Sequence, residues 1–364
     1  NMEEEMNILR IEDSGYNDFF KRQKEDSDRS GELVVARVTQ VHRESYTVVS
    51  DMGEKNARLK GSIFFSPDSA QIYPATGDFV LIKHNPMGED IIYRVLDRKS
   101  KFSRMDTFNS REQVVATNFD YVFIVTSMNR DFNIKRIERY LSIAWQSGGI
   151  PVIVLTKADA CEDREQYLDQ LHDISAGVRV LAVSAHTGEG MDELREYMGP
   201  SKTLVLLGSS GVGKSSLVNA LSGEEIMKVN QIREDDSKGR HTTTHRELIM
   251  LPGGTMIIDT PGMRELGMWS SSEGMSATFE DVEELFEGCR FSDCRHEGEP
   301  GCAVREAIES GALSQQRWNN YLKLQKESRF AESKEKRAAL MNKKAFEKNI
   351  AKLQKEMYKS RKKR

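Results

Sequence analysis

The 364-residue sequence predicts a multidomain protein with an N-terminal β-barrel, a central α/β domain and a C-terminal, mostly helical, metal-binding domain. Three observations support this fold class. Short runs rich in Val, Ile and Tyr dominate residues 31–100, continuous apolar runs alternate with helical patterns over residues 118–270, and three of the four cysteines cluster after residue 288. At 38% hydrophobic and 30% charged residues, the composition is that of globular domains with their own cores.

The barrel is predicted from five strand-like runs, which are separated by turn signals such as DMGEKN and NPMGED. Five strands in so short a segment suit an OB-fold, a frequent oligonucleotide binder, although an SH3-like barrel has much the same pattern. We expect residues 1–30 to form a short helix and a lead-in, residues 31–100 the OB-fold barrel, and residues 101–117 a linker.

The central domain is predicted from continuous apolar runs, DYVFIVTSM and IPVIVLTKAD, which are typical of strands buried on both faces of a parallel sheet. KRIERYLSIAWQSG has helical spacing between them, and three further strand-like runs continue the alternation. This pattern indicates an α/β domain over residues 118–270.

A phosphate loop is predicted where GSSGVGKS fits G-x-x-x-x-G-K-[ST] at every fixed position, between the strand-like TLVLL and the helical SSLVNAL. The glycines would let backbone N–H groups curl around the phosphates. Lys214 would neutralise β- and γ-phosphate oxygens, and Ser215 would ligate Mg²⁺. The expected nucleotide contacts here are Gly208, Ser209, Ser210, Gly211, Val212, Gly213, Lys214, Ser215 and Ser216.

Two further segments complete the predicted phosphate side. Asp259 and Gly262 belong to DTPG at the end of a strand, where Asp259 would act near Mg²⁺ and Gly262 would sense the γ-phosphate. Upstream, GRHTTTHREL is rich in hydroxyl groups. One of Thr242, Thr243 or Thr244 could therefore complete the Mg²⁺ shell, and we favour Thr243.

A guanine reader is predicted at Thr156, Lys157 and Asp159 of TKAD, which departs from the usual Asn-Lys-x-Asp at its first position. Asp159 can accept from the two guanine N–H donors, which adenine does not offer, and the Lys157 stem can cover the base. Ser184 and Ala185, after the next strand, would place a backbone N–H beside the guanine oxygen. The expected nucleotides are therefore GTP and GDP.

The order of the motifs is unusual, because the reader precedes the phosphate loop, which opens most domains of this kind. A circular permutation explains this order: domain ends normally lie close together, so joining them and cutting elsewhere leaves the site unchanged in space. The central domain is thus predicted to be a circularly permuted P-loop GTPase domain. DTPG then leads directly into the C-terminal region, to which we expect the nucleotide state to be transmitted.

A metal site is predicted at Cys289, Cys294, His296 and Cys302, which offer three thiolates and an imidazole. This donor set fills all four tetrahedral positions, so it suits one closed, structural zinc ion in a domain at residues 271–330. An iron–sulfur cluster and four unrelated polar residues are the alternatives. Cys161 stands apart. Four cysteines are too few for a disulfide scaffold in a chain of this length.

Charge is distributed unevenly along the chain. Residues 331–364, expected to form a basic helix or tail, carry 13 Lys or Arg against 4 Asp or Glu, although the whole chain has a net charge of −4. Such a tail is common in nucleic-acid-binding proteins, and a solvated helix face is an equally good interpretation. The sequence shows neither a long apolar run nor a signal-peptide pattern, so we expect a cytoplasmic protein without a membrane partner.

Together these motifs resemble the RsgA (YjeQ/YloQ) family, circularly permuted GTPases that act in maturation of the small (30S) ribosomal subunit. The resemblance covers nearly the whole chain, including PATGDFVLI, DFNIKRIERYLSIA, SSGVGKSSLVNAL, GRHTTTHREL, DTPGMRELGMW and the Cys/His cluster. It implies an OB domain, a permuted GTPase domain and a zinc domain, with GTP hydrolysis stimulated by the small subunit.

The resemblance also implies a catalytic group. GTPases often orient the attacking water with a Gln after D-x-x-G, but here Met263 and Arg264 follow, and a Met side chain cannot hold a water. The family implies that His241 orients the water, and the alternative is that His241 is a loop residue near the phosphate without a catalytic role. The expected catalytic set is completed by Lys214, Thr243 and Gly262.

The leading hypothesis is a monomeric GTPase of late 30S maturation that binds rRNA and couples hydrolysis of GTP, to GDP and phosphate, to its release. One alternative is a permuted GTPase of large-subunit assembly, a group that generally lacks this pairing of an N-terminal barrel with a Cys/His module. The other is an RNA-binding scaffold whose nucleotide only regulates it.

Deletion of residues 331–364 is predicted to weaken RNA binding and to flatten its dependence on salt, because each lysine or arginine that meets a phosphate releases counterions. The measurement is the RNA dissociation constant of the full and truncated chains across a salt series. An identical salt slope for the two chains would show that these charges do not contact RNA.

Overall fold

A computed structural model of the chain describes the barrel, the central sheet and the C-terminal helices. The described residues are 10–28, 30–61, 73–105, 112–172, 174–175, 177–227, 247–259, 272–330 and 333. The expected basic tail lies almost entirely outside them. None of the helices in these ranges has the length and apolar character needed to cross a membrane.

Five strands form a closed N-terminal barrel, as the sequence predicts. They are β1 Val34–Val41, β2 Tyr46–Ser50, β3 Gly53–Leu59, β4 Phe79–Lys83 and β5 Asp90–Val95. β1 pairs antiparallel with both β2 and β4, and β3 pairs parallel with β5, so the order is β1-β2-β3-β5-β4 and back to β1. This closed five-stranded order is that of an OB-fold, which confirms the predicted class.

Helix α1, Asp18–Ser27, covers the outside of the barrel. The Asn17 side chain caps it by accepting a hydrogen bond from the Phe19 N–H, as a helix start requires. Its buried residue Phe20 packs on Phe79 of β4 with ring centroids 4.3 Å apart. The lead-in is therefore attached to the barrel by an aromatic contact.

The segment expected to be a linker has structure of its own. Its strands, β6 Lys101–Met105 and β7 Glu112–Thr117, pair antiparallel as a separate two-stranded sheet. Phe102 is buried and stacks on Phe119 with centroids 4.6 Å apart. This segment therefore contributes to the core beneath the central sheet.

The described part of the central domain contains six strands, five of them mutually parallel. They are β8 Tyr121–Ser127, β9 Ile150–Thr156, β10 Arg179–Ala182, β11 Thr203–Leu207, β12 Glu247–Met250 and β13 Met256–Asp259. The order is β10-β9-β8-β11-β13-β12, with β12 antiparallel to β13. The carboxyl ends of the five parallel strands therefore meet at one edge, where ligands bind in open α/β sheets.

Helices cover both faces of this sheet, and the described ones are α2 Ile134–Ser147, α3 Glu165–His172, α4 Met191–Arg195 and α5 Lys214–Ser222. The longest, α2, begins after the capping side chain of Asn133 and ends at Gly148, whose φ of 83° is left-handed. It buries an apolar face that includes Ile137, Leu141 and Ala144. Separate apolar clusters lie on the two sides of the sheet, as expected of a doubly covered sheet.

The C-terminal region is helical, as predicted, with α6 Ser272–Thr278, α7 Glu280–Glu287, α8 Ala303–Ser310 and a helix over 315–330, named α9. A buried ionic network attaches it to α2. Arg317 of α9 donates from Nη1 to Glu138 of α2 at 3.0 Å and from Nε to Asp281 of α7 at 2.7 Å. Burial opposes the charge on Arg317, but Asp281 and then Glu138 together raise its pKa. Arg317 therefore stays charged beside Asp281, whereas burial raises the pKa of Glu138 to about 7, and these contacts fix the C-terminal helices on the central domain.

Arg37 of β1 joins the barrel to the other parts of the chain. Its buried guanidinium donates to the carbonyl oxygens of Ser14, Gly77 and Asn118, and Nη1 lies 3.0 Å from the Thr203 hydroxyl at the start of β11. Burial lowers the pKa of Arg37 to about 10, so the group remains charged at neutral pH. One charged side chain thus contacts the lead-in, the barrel, the segment before β8 and the central sheet.

Arg37→Met is predicted to lower the free energy of unfolding by about 3 kcal/mol or more, because the buried carbonyl oxygens of Ser14 and Asn118 lose their donor and each costs roughly 1–3 kcal/mol unpaired. The Gly77 carbonyl keeps the Asn118 side-chain amide as a donor. Urea-induced unfolding measures this change. Arg94→Met, at an exposed position of β5, is the matched control and should change stability by less than about 0.5 kcal/mol. Equal losses in the two variants would contradict the role given to Arg37.

Candidate nucleotide site and metal centre

The phosphate loop lies between β11 and α5, and its glycines are required by the backbone. A Cβ on Gly208 would lie 2.4 Å from the Val125 carbonyl oxygen of β8, so only glycine allows this approach. Gly211 and Gly213 have φ of 81° and 94°, in the left-handed region that favours glycine. Gly213 directly precedes Lys214, so the loop opens onto the N-terminus of α5, where an anion is stabilised.

Lys214 folds back over its own loop. Its Nζ donates to the carbonyl oxygens of Gly208 and Ser209, both at 2.7 Å. Ser215 and Ser216 follow in the first turn of α5, whereas Val212 is buried and offers the loop only its backbone. The ammonium group is therefore held at the loop by carbonyl oxygens that phosphate oxygens can replace.

The first two residues of the predicted guanine reader contact the phosphate loop. The buried Thr156 hydroxyl lies 2.6 Å from the Val212 carbonyl oxygen, to which it donates. Lys157 has a left-handed φ of 62°, and its Nζ donates to the Gly211 carbonyl oxygen at 3.2 Å. Segments separated by more than fifty positions are thus tied into one site.

Asp159 faces the Ser-Ala loop that follows β10. The Ser184 hydroxyl donates to its carboxylate, and this hydrogen bond is the main cause that lowers the pKa of Asp159. Ser184 is buried, and its Oγ accepts from the N–H groups of His186 and Thr187. Asp159 is exposed and ionised, with Ala185 on the adjoining loop, which suits acceptance of hydrogen bonds from a base.

An ion pair between the reader and the Ser-Ala loop was not predicted from the sequence. Arg164 donates from Nη2 to Glu189 at 2.9 Å, makes a second contact with the same carboxylate, and donates from Nε to the Ala158 carbonyl oxygen at 3.1 Å. This bidentate ion pair holds the loop of the predicted guanine reader beside the Ser-Ala loop. The sequence gives only a weak signal for this ion pair, namely residues of opposite charge within a few positions of each motif.

The remaining predicted phosphate-side residues are only partly placed. Asp259 ends β13 at the same edge of the sheet, and its side chain is outside the description. His241, Thr243 and Gly262 lie outside the described residues, as do the alternatives Thr242 and Thr244. The described residues of the site are therefore those of the base side and the phosphate loop.

The predicted metal ligands converge in the C-terminal region. The ligand atoms of Cys289, Cys294, His296 and Cys302 all lie within 4.8 Å of one another. Nδ1 of His296 is 3.5 Å from Sγ of Cys289 and 3.6 Å from Sγ of Cys302. A tetrahedral ion with metal–sulfur and metal–nitrogen distances of about 2.3 and 2.1 Å requires a separation of about 3.6 Å, so the cluster fits a bound metal.

The backbone around the cluster is shaped to present the imidazole. His296 has a left-handed φ of 61°, and its ring stacks on Phe286 with centroids 4.4 Å apart. Burial lowers the pKa of His296, which favours the neutral imidazole that a metal requires. Glu299 accepts backbone N–H bonds within the same loop, and these lower its pKa to about 2.

The sheet order, the phosphate loop, and a guanine reader that precedes it define a circularly permuted P-loop GTPase. Residues 95–269 match the family model described as RsgA GTPase. The small ribosomal subunit biogenesis GTPase RsgA 2 of Listeria monocytogenes serotype 4b is 49% identical over 88% of this chain and 89% of its own. RsgA 2 of Lactiplantibacillus plantarum is 44% identical over 81% and 83%. The chain belongs to the RsgA GTPase family.

Solved structures agree with this assignment. The crystal structure of YjeQ from Thermotoga maritima has a TM-score of 0.60 at 28% identity, over 81% of this chain and 98% of that one. YloQ, described as a circularly permuted GTPase, shares the fold with a TM-score of 0.58 at 23% identity, over 83% and 98%. A second family model, described as ABC transporter, matches residues 191–355, a range that contains the phosphate loop and excludes the guanine reader.

The purified chain is predicted to carry one tightly bound divalent metal ion, and Cys294→Ser is predicted to lose it, because three ligands no longer close the tetrahedron. Elemental analysis gives the metal content. Cys161→Ser is the matched control, since Cys161 lies outside the cluster and should leave the metal in place. Metal-free wild-type protein that folds normally would contradict this prediction.

Proposed function

We propose that this chain is a GTPase that acts in late maturation of the small ribosomal subunit and uses hydrolysis, stimulated by that subunit, to time its release. The match to small ribosomal subunit biogenesis GTPases over 81–88% of the chain carries the proposal. A reader and a phosphate loop joined by direct hydrogen bonds support it.

Guanine selectivity rests on Asp159. Its ionised, exposed carboxylate can accept from the two N–H groups of guanine, whereas adenine presents no such pair. Ala185 follows the Ser184 that orients Asp159, so its N–H is the donor for the guanine oxygen. Thr156 contributes indirectly to nucleotide binding, because its hydroxyl donates to the Val212 carbonyl oxygen and so holds the phosphate loop in place. GTP and GDP are therefore the proposed ligands.

On the phosphate side, the residues of the loop bind the substrate and Mg²⁺. When GTP enters, Lys214 exchanges the carbonyl oxygens of Gly208 and Ser209 for β- and γ-phosphate oxygens. Ser215, Thr243 and Asp259 would hold Mg²⁺, which neutralises charge on those oxygens. The remaining loop residues assigned to the nucleotide are Ser209, Ser210, Gly211, Val212, Gly213 and Ser216.

Hydrolysis requires a positioned water. We assign this task to His241, because Met263 and Arg264 stand where other GTPases place a Gln. The backbone N–H of Gly262 would bond the γ-phosphate and lose that bond on hydrolysis. DTPG leads into α6, so the proposed path from the nucleotide to the C-terminal helices is short.

The metal is proposed to be one structural Zn²⁺. Three thiolates and an imidazole are the donors that zinc prefers, and four protein ligands leave no position for a substrate. Its contribution is to hold the loop between α7 and α8, which contains few buried residues. The barrel, this loop and the tail are the proposed rRNA contacts of a cytoplasmic, monomeric protein.

GTP turnover is predicted to be slow for the protein alone and to rise steeply with purified small subunits. A positioned water or an added cation raises the rate of GTP hydrolysis by roughly 10³–10⁵-fold. A small subunit that supplies either of these would therefore stimulate turnover strongly. His241→Ala should bind GTP with unchanged affinity and lose most of the stimulated rate. Steady-state phosphate release measures turnover, and equilibrium binding of GTP and ATP measures selectivity.

Purified large subunits serve as the control and should not stimulate turnover. Stimulation by large subunits would favour a GTPase of large-subunit assembly, and no stimulation by either would favour an RNA-binding scaffold with a regulatory nucleotide. Normal stimulated turnover in His241→Ala would remove only the role given to that residue. Equal affinity for ATP and GTP would overturn the proposed substrate.

A further inference from the structure

A cation outside the predicted nucleotide-binding motifs lies against the phosphate loop. Arg136, in the first turn of α2, donates from Nη1 to the Ser209 hydroxyl at 2.6 Å. Both side chains are half-buried. Sequence motifs assign neither a ligand nor a structural role to this arginine.

The fold determines this placement. β8 pairs with β11 up to Ile124 and Leu207, so the segment after β8 passes beside the phosphate loop. The backbone N–H of Arg136 is bonded to the capping Asn133 side chain at 3.1 Å, which fixes the start of the helix. The guanidinium is therefore directed at the loop by an anchored helix end.

The charge of Arg136 has no carboxylate partner among the residues that the structure describes. Arg139, one turn further along α2, pairs with Glu327 at 3.3 Å. By contrast, the contact found for Arg136 is a neutral hydroxyl. A half-buried guanidinium without a counter-charge favours a nearby anion.

A second cation meets the same residue of the loop. Lys214, which the motif assigns to the β- and γ-phosphates, donates to the Ser209 carbonyl oxygen, while Arg136 donates to the Ser209 hydroxyl. Two positive groups thus converge on one loop residue. The ligand that matches them is the charge-rich end of a nucleoside triphosphate.

We propose that Arg136 is a second phosphate-side cation, which adds positive charge at the β/γ end of the loop and so favours GTP over GDP. The inference rests on the proposed GTPase function and deepens it. If Arg136 only held α2 against the loop, its loss would weaken both nucleotides to the same extent. The ratio of the affinities for GTP and GDP therefore distinguishes a role of the Arg136 charge from a purely structural role.

The test is the affinity of the full-length protein for GDP and for a non-hydrolysable GTP analogue in Arg136→Lys, Arg136→Gln and Arg136→Glu. The preference for the GTP analogue should follow side-chain charge: near wild type for Lys, about tenfold lower for Gln, and lower still for Glu, as expected for loss of one charged hydrogen bond. Any two variants that fold are enough to define the trend. Raising the salt concentration should reduce the preference more in wild type than in Arg136→Gln.

Arg139→Gln is the matched control, because it removes a cation from the same helix at a site paired with Glu327. Its nucleotide preference should equal that of wild type. An equal loss for both nucleotides in Arg136→Gln, or an unchanged ratio across the charge series, would overturn the inference. Wild-type protein that binds neither nucleotide would instead refute the proposed function.

Discussion

The pairing of β11 between β8 and β13 is the constraint on which the nucleotide site depends. These parallel strands end at one edge of the sheet, whatever order the chain follows to supply them. The close approach of Gly208 to the Val125 carbonyl oxygen brings the phosphate loop against the neighbouring strand. A circular permutation consequently alters the connections between strands and leaves the arrangement of the motifs intact.

The central sheet that carries the nucleotide site is connected directly to the N-terminal barrel. Gln40 of β1 pairs with Glu247 of β12, and Glu247 pairs on its other side with Asp259 of β13. The barrel thus joins the sheet one strand away from a predicted Mg²⁺ ligand. Arg37 of the same barrel strand donates to the Thr203 hydroxyl at the start of β11, at the opposite edge of the sheet.

On the other side, α2 links the site to the C-terminal helices. Arg136 contacts the phosphate loop, and two positions later Glu138 is buried against Arg317 of α9. Removal of one partner of such a buried pair leaves an uncompensated charge, so the junction favours a single geometry. The predicted guanine reader is organised in a similar way, because Thr156 holds the phosphate loop while Asp159 stays exposed and accepts from Ser184.

The sequence by itself determined the three-part division, the permuted motif order and the metal cluster. Each of these depends on local spacing: alternation of apolar residues, a glycine pattern around Lys214, or four ligands within a short loop. Only the tertiary structure decided the barrel closure through β1 and β4, the hairpin in the expected linker, and the contacts of Arg37, Glu138 and Arg136. Arg37 and Thr203 are 166 positions apart, and Arg136 and Ser209 are 73 apart. Such contacts arise from strand pairing and side-chain direction in the folded chain, for which a single sequence carries no local pattern.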